Sequence, residues 1–100
     1  MRGLFCILLL VPLVAFAAYD VQRLADLVKD GKYQAAYDYA LEYRAQHEGE
    51  LEFDLYYGIA AAQIGELSEA IFALERVITL EPGFDRARLE LARAYFLRED

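Results

Sequence analysis

The sequence predicts an all-α chain in which antiparallel helix pairs stack into a solenoid, and three observations predict it. First, residues 51–84 read LEFDLYYGIAAAQIGELSEAIFALERVITLEPGF, two amphipathic runs that meet at Gly65-Glu66 and close at Pro82-Gly83. Second, small and apolar residues recur at a spacing of 34: Gly31 with Gly65, Ala36 with Ala70, Gly58 with Ala92, and Leu27 with Ala61 and Tyr95. Self-similarity at one fixed period marks a repeat architecture. Third, residues 85–96, DRARLELARAYF, restart the first half of the same pattern. Together they predict about two helix pairs and a final helix.

The front of the chain has a different character. Met1-Arg2-Gly3 precedes LFCILLLVPLVAFAA, and no further charge occurs until Asp20. One basic residue, a short apolar run and Ala15-Phe16-Ala17 match the three parts of a secretory signal peptide. Cleavage after Ala17 leaves residues 18–100 as the mature domain. The apolar run is shorter than the ~17–25 residues of a spanning helix; an uncleaved membrane tether facing the periplasm is the alternative. Cys6 lies within this run, so the mature chain carries no cysteine. The short basic front and the A-x-A site point to a bacterial protein exported to the periplasm.

Residues 18–50 read as a degenerate first pair. Val21, Leu24, Leu27 and Val28 follow helical spacing, Asp30-Gly31-Lys32 is the turn, and Tyr33 to His47 is the second helix. Tyr33, Tyr37, Tyr39 and Tyr43 form a stripe that predicts packing within and between pairs, with hydroxyls reaching water. His47-Glu48-Gly49-Glu50 is a polar break, with His47 expected in a solvated linker. Residues 51–84 are the well-matched pair. Two antiparallel helices approach closely only through small residues, so Gly58 and Ala70 are the expected contact, surrounded by Tyr57 and Leu74. Gly65 suits a helix C-terminus in the left-handed conformation, Ser68 a helix start, and Pro82 a stop, since it lacks an amide hydrogen. Asp85 is placed to cap the last helix, residues 85–100. Leu89, Leu91, Phe96 and Leu97 there exceed the single face that a capping helix needs to bury, which predicts an exposed apolar patch.

The middle unit resembles the tetratricopeptide repeat (TPR) family. Numbered from Leu51, it has Tyr57-Gly58 at positions 7 and 8, Ala61 at 11, Ala70 at 20, Leu74 at 24 and Pro82 at 32, and the last run repeats Leu91-Ala92 and Tyr95 at the corresponding places. The first copy departs from the pattern, with Arg23, Leu24 and Glu48 in place of large, small and proline residues. The ALERVITLEPGFDRARLELARAYF run behind a signal peptide is also similar to the periplasmic TPR region of outer-membrane surface lipoprotein assembly modifiers. The resemblance implies a concave groove lined by Glu52, Leu55, Ile59, Ala62 and Gln63 and by Arg86, Leu89, Arg93, Phe96 and Leu97. It implies a protein or peptide partner with apolar anchors and an acidic group near the arginines. Leu55 and Ile59 stand where some members of the family carry polar residues for a C-terminal carboxylate, which argues against that mode. Leu55→Glu or Ile59→Glu is expected to abolish capture without loss of helicity. Arg86 and Arg93 also have a simpler use, pairing with Glu90.

Composition excludes several classes of function. The chain carries 10 Lys+Arg and 17 Asp+Glu, a net charge of −7; without Arg2 the balance is 9 against 17, a net −8. Such a surface disfavours nucleic acid and anionic lipid, leaving membrane contact only to the front segment if uncleaved. The sole histidine, His47, has no companion ligands at metal-binding spacing. Glu48, Glu50, Glu52 and Asp54 are explained by a helix start. Ser68 and Thr79 have no histidine in register, and no Gly-rich phosphate loop occurs. The expectation is a non-enzymatic scaffold or adaptor of the cell envelope, without cofactor or metal, that self-associates through its last helix if that patch is not otherwise covered. The alternatives are the front region of a larger envelope protein, such as one with an outer-membrane β-barrel, and a subunit or chaperone of an enzyme.

Overall fold

The computed structural model describes residues 18–99. The expected signal segment, its cleavage site and Cys6 lie outside the described residues. Five helices follow in order: α1 (Val21–Lys29), α2 (Tyr33–His47), α3 (Leu51–Ile64), α4 (Leu67–Leu80) and α5 (Asp85–Arg98). No strand occurs among the described residues. Each helix packs on the next, and α1 and α5 also pack on α3. Helix α3 therefore has all four other helices as neighbours.

The helix boundaries repeat with the sequence. Tyr33 and Leu67 open α2 and α4, and Leu51 and Asp85 open α3 and α5, both pairs 34 residues apart. The turns repeat too. Gly31 (φ +76°) and Gly65 (φ +88°) are left-handed. After α1, the Lys32 N–H donates to the Leu27 carbonyl (2.8 Å) and the Gly31 N–H to that of Val28 (3.0 Å). After α3, the Glu66 N–H donates to Ala61 (2.9 Å) and the Gly65 N–H to Ala62 (3.4 Å). This is one C-terminal motif used twice, and glycine is favoured there because a Cβ strains the left-handed conformation.

Of the five helix starts, only that of α1 carries a side-chain cap. Asp20 caps α1, its carboxylate accepting the Gln22 N–H at 2.9 Å. Asp85 does not cap α5: Phe84 holds that position without a side-chain bond, and Asp85 is the first helical residue. There it acts only through the helix dipole. Ser68 likewise lies inside α4, which starts at Leu67 after Glu66. Glu81 closes α4 just ahead of Pro82.

The core runs along α3. Phe53, Leu55, Tyr57, Ile59 and Ala60 to Ala62 are all buried, with Leu24 and Val28 of α1, Ala36 and Ala40 of α2, Ala70, Ala73, Leu74 and Val77 of α4, and Ala87 and Ala94 of α5. A helix apolar around most of its circumference belongs inside. Gly58 marks a close approach between α3 and α4. A Cβ there would lie 2.7 Å from Leu74 Cγ and 3.3 Å from Ala73 Cβ. The atoms nearest to that Cβ belong to Leu74 and Ala73, and Ala70, the small residue expected at this contact, is fully buried as well.

The tyrosine stripe packs as expected. Tyr37 is buried and stacks on Tyr57 (5.5 Å between centroids), which stacks on Phe53 (5.6 Å). The Tyr37 hydroxyl donates to Glu69 at 2.6 Å instead of reaching water, tying α2 to α4. Burial and this bond push the Tyr37 hydroxyl well above the usual tyrosine range. A second aromatic group joins Tyr19, Tyr39, Tyr43, His47 and Phe53. His47 is therefore not in a solvated linker. It ends α2, stacks on Tyr19 at 4.1 Å and holds Glu50 through Nδ1 at 3.0 Å, because ring burial outweighs the polarity of the flanking residues.

Candidate interaction surface

The residues that the sequence assigns to a concave groove divide into two groups. Leu55, Ile59 and Ala62 are buried, at 6%, 2% and 4% exposure. They form core and offer a partner no open wall. Glu52 is exposed, and Gln63 is half-buried with its amide donating to both carboxylate oxygens of Glu90 (3.3 Å). By contrast Arg86, Leu89, Arg93, Phe96 and Leu97, all on α5, are exposed, Leu89 at 65% and Phe96 at 69%. The physical reason is neighbourhood: α3 lies between α1 and α5, whereas among the described residues α5 packs only on α3 and α4.

Glu90 organises the inner edge of this surface. It is 5% exposed. Arg86 Nε donates to it at 3.0 Å, Arg93 Nη1 approaches at 3.5 Å, and Gln63 reaches it from α3. A buried carboxylate is tolerable only with such partners. The arginines thus take the simpler role expected of them. Both remain about half exposed, so the cluster still presents positive charge to solvent.

Charge is unevenly distributed. Residues 18–84 carry five Lys/Arg against 13 Asp/Glu, a net −8. Helix α5 carries Arg86, Arg88, Arg93 and Arg98 against Asp85 and Glu90, a net +2. The last helix is a basic, apolar face on an otherwise acidic chain.

Sequence reading missed a second buried ionic group. Asp54, assigned to the helix dipole, is fully buried. Arg76 of α4 grips it with Nε and Nη2, both at 2.9 Å, and the Gly49 N–H donates to it at 3.0 Å. This fork holds α3, α4 and the loop before α3 together, and the Asp54 bond raises the Arg76 pKa. The available signal was a charge set directly between Phe53 and Leu55, with apolar residues on both sides. Beside Arg76 a shallow groove runs past Gly49, Phe72, Thr79 and Leu80, with Phe72 and Leu80 exposed.

The described residues contain no group of three or more His, Cys, Asp or Glu arranged to hold a metal ion. No helix among them is long and apolar enough to cross a membrane. The chain matches no known family, no curated protein and no solved structure.

Proposed function

We infer that this chain is a non-enzymatic interaction scaffold of the tetratricopeptide kind, acting in the bacterial cell envelope and engaging its partner through α5. The 34-residue recurrence of helix starts and of the glycine turn supports the repeat assignment. One observation carries the binding role. Leu55 and Ala62 of α3 are buried, yet Leu89 and Phe96, one period later on α5, are the most exposed large apolar residues of that helix. Apolar side chains concentrated on one exposed helical face mark an interaction surface. The groove wall at Leu55, Ile59 and Ala62 is dropped from this reading, because those residues are occupied by the fold.

The test is site-specific crosslinking in the native host. A photo-reactive phenylalanine analogue at Phe96 should give a discrete adduct, while one at exposed Gln34 on α2 should not. Equal labelling from both positions, or none from Phe96, would remove α5 as the binding face. The export assignment rests on the front segment alone, and N-terminal sequencing of the native protein checks it, with Ala18 as the expected first residue.

A further inference from the structure

One flank of α4 carries apolar side chains that the fold leaves open. Among the described residues outside α5, three large apolar side chains are exposed: Leu41 of α2, and Phe72 and Leu80 of α4 at 65% and 57%. Phe72 and Leu80 border a hollow of about 390 Å³ beside Gly49, Glu75, Arg76 and Thr79. Arg44 and Glu48 of α2 share a smaller hollow, about 150 Å³, with Phe72 and Arg76. Leu41 lies one turn before Arg44. The groove thus runs between two helices, α2 and α4, that are both in place. A further repeat would not fill it. The α2 residues that reach toward α4 are Tyr37, Arg44 and Glu48, which one period later are Ile71, Ile78 and Pro82. That flank of α4 lies about a third of a turn around the helix from Phe72 and Arg76.

We propose that this groove is a homodimer interface, in which two copies cross their α4 helices antiparallel about a two-fold axis between Glu75 and Arg76. Pairing about that point sets residue 72 opposite 79 and residue 75 opposite 76. The Phe72 ring of each copy enters the hollow beside Gly49 and Thr79 of the other, and Arg76 meets Glu75 of the other. Asp54 takes Nε and Nη2 of Arg76, which leaves Nη1 for this pair. A closed two-fold interface needs one surface that complements itself, whereas a foreign partner needs no such match within a single face. This face holds both a ring and a hollow that admits it. It also holds both signs of charge: Arg44 and Arg76 stand against Glu48, Glu69 and Glu75, close to balance, while residues 18–84 as a whole are at −8. A second acidic chain can therefore approach here with little repulsion. On α5, at a net +2, two copies would bring like charges together, which opposes association.

The test is sedimentation equilibrium on the full protein produced in its native host, which should show a concentration-dependent exchange between monomer and dimer. Phe72→Glu should raise the dimer dissociation constant at least ~30-fold, as loss of a buried aromatic anchor does. Glu75→Lys sets like charges together and should raise it roughly tenfold. Tyr95→Phe removes the Glu75 bond within the chain and should leave the dimer unchanged, as should Phe96→Glu on α5. Each variant should keep the native far-UV circular dichroism. A monomer at every concentration overturns the proposal. A dimer that survives Phe72→Glu overturns it too, and its loss in Phe96→Glu would move self-association to α5. So does a single foreign protein that copurifies with the native chain and is released by Phe72→Glu, because the groove then serves a different occupant. Crosslinking from Phe96 judges the scaffold reading separately.

Discussion

Removing the guanidinium from the Asp54–Arg76 pair tests the account of the core most directly. In Arg76→Met the Asp54 carboxylate, fully buried, loses two donors at 2.9 Å and keeps only the Gly49 N–H at 3.0 Å. Stranding a buried charge in this way costs about 3–5 kcal/mol. The Arg76 side chain is 40% exposed, so its loss also opens a path for water to the carboxylate. A discounted cost of about 2–3 kcal/mol follows. A domain of this size has on the order of 4–12 kcal/mol in total, so the variant sacrifices a large share. The assay is urea unfolding followed by far-UV circular dichroism. With a slope of about 1 kcal/mol per molar urea, the midpoint should fall by roughly 2–3 M. Adding Asp54→Leu removes the stranded charge, so the double variant should be more stable than Arg76→Met alone. A midpoint change under about 0.5 M for Arg76→Met, or a double variant weaker than the single, would refute the argument that a buried carboxylate sets the cost.

Other outcomes follow from the same geometry. Gly58→Ala places a methyl 2.7 Å from Leu74 Cγ; overpacking of about 1–3 kcal/mol against a helix-propensity gain of about 1 leaves a net loss of about 1 kcal/mol. In a Leu74→Ala background the loss should vanish, as thermal melts of the four variants would show. The Tyr19 hydroxyl is buried and finds no hydrogen-bond partner among the described residues, so Tyr19→Phe should raise stability by about 1 kcal/mol. Burial first, then the charge of Glu50, pushes its pKa up to about 12 from 10. Above pH 10 the unfolded chain releases this proton while the folded chain keeps it, so stability falls as pH rises from 10 through 12. Tyr19→Phe should lessen that fall in urea titrations across the window. Finally, Ile59→Glu should unfold the chain because Ile59 is core, whereas Phe96→Glu should leave the circular dichroism unchanged because Phe96 is exposed.

Local sequence was legible wherever one residue type answers one backbone need. The α2 span, the start of α3 and the turns at Gly31 and Gly65 follow from helical spacing and left-handed glycine positions that act over a few residues. The starts of α4 and α5 were less legible, since Ser68 and Asp85, residue types that favour the capping position, sit inside the helices instead of before them. Of the surface, the excess of apolar residues on α5 was readable, and so was the Glu90 pairing, because its arginines lie three and four residues away on one helix.

What the sequence by itself determined is the repeat: five helical spans and a 34-residue period, both set by contacts and conformations short in sequence. What only the tertiary structure decided is which face of each helix is occupied. Leu55 and Leu89 hold the same place in the repeat, yet one is core and the other lies open, because α3 has neighbours on both sides and α5 on one. Asp54 meets Arg76 across 22 residues of chain, and Gly58 lies against Leu74 and Ala73 of the next helix. Such pairings depend on how helices cross and slide against each other, which no spacing along a single helix encodes.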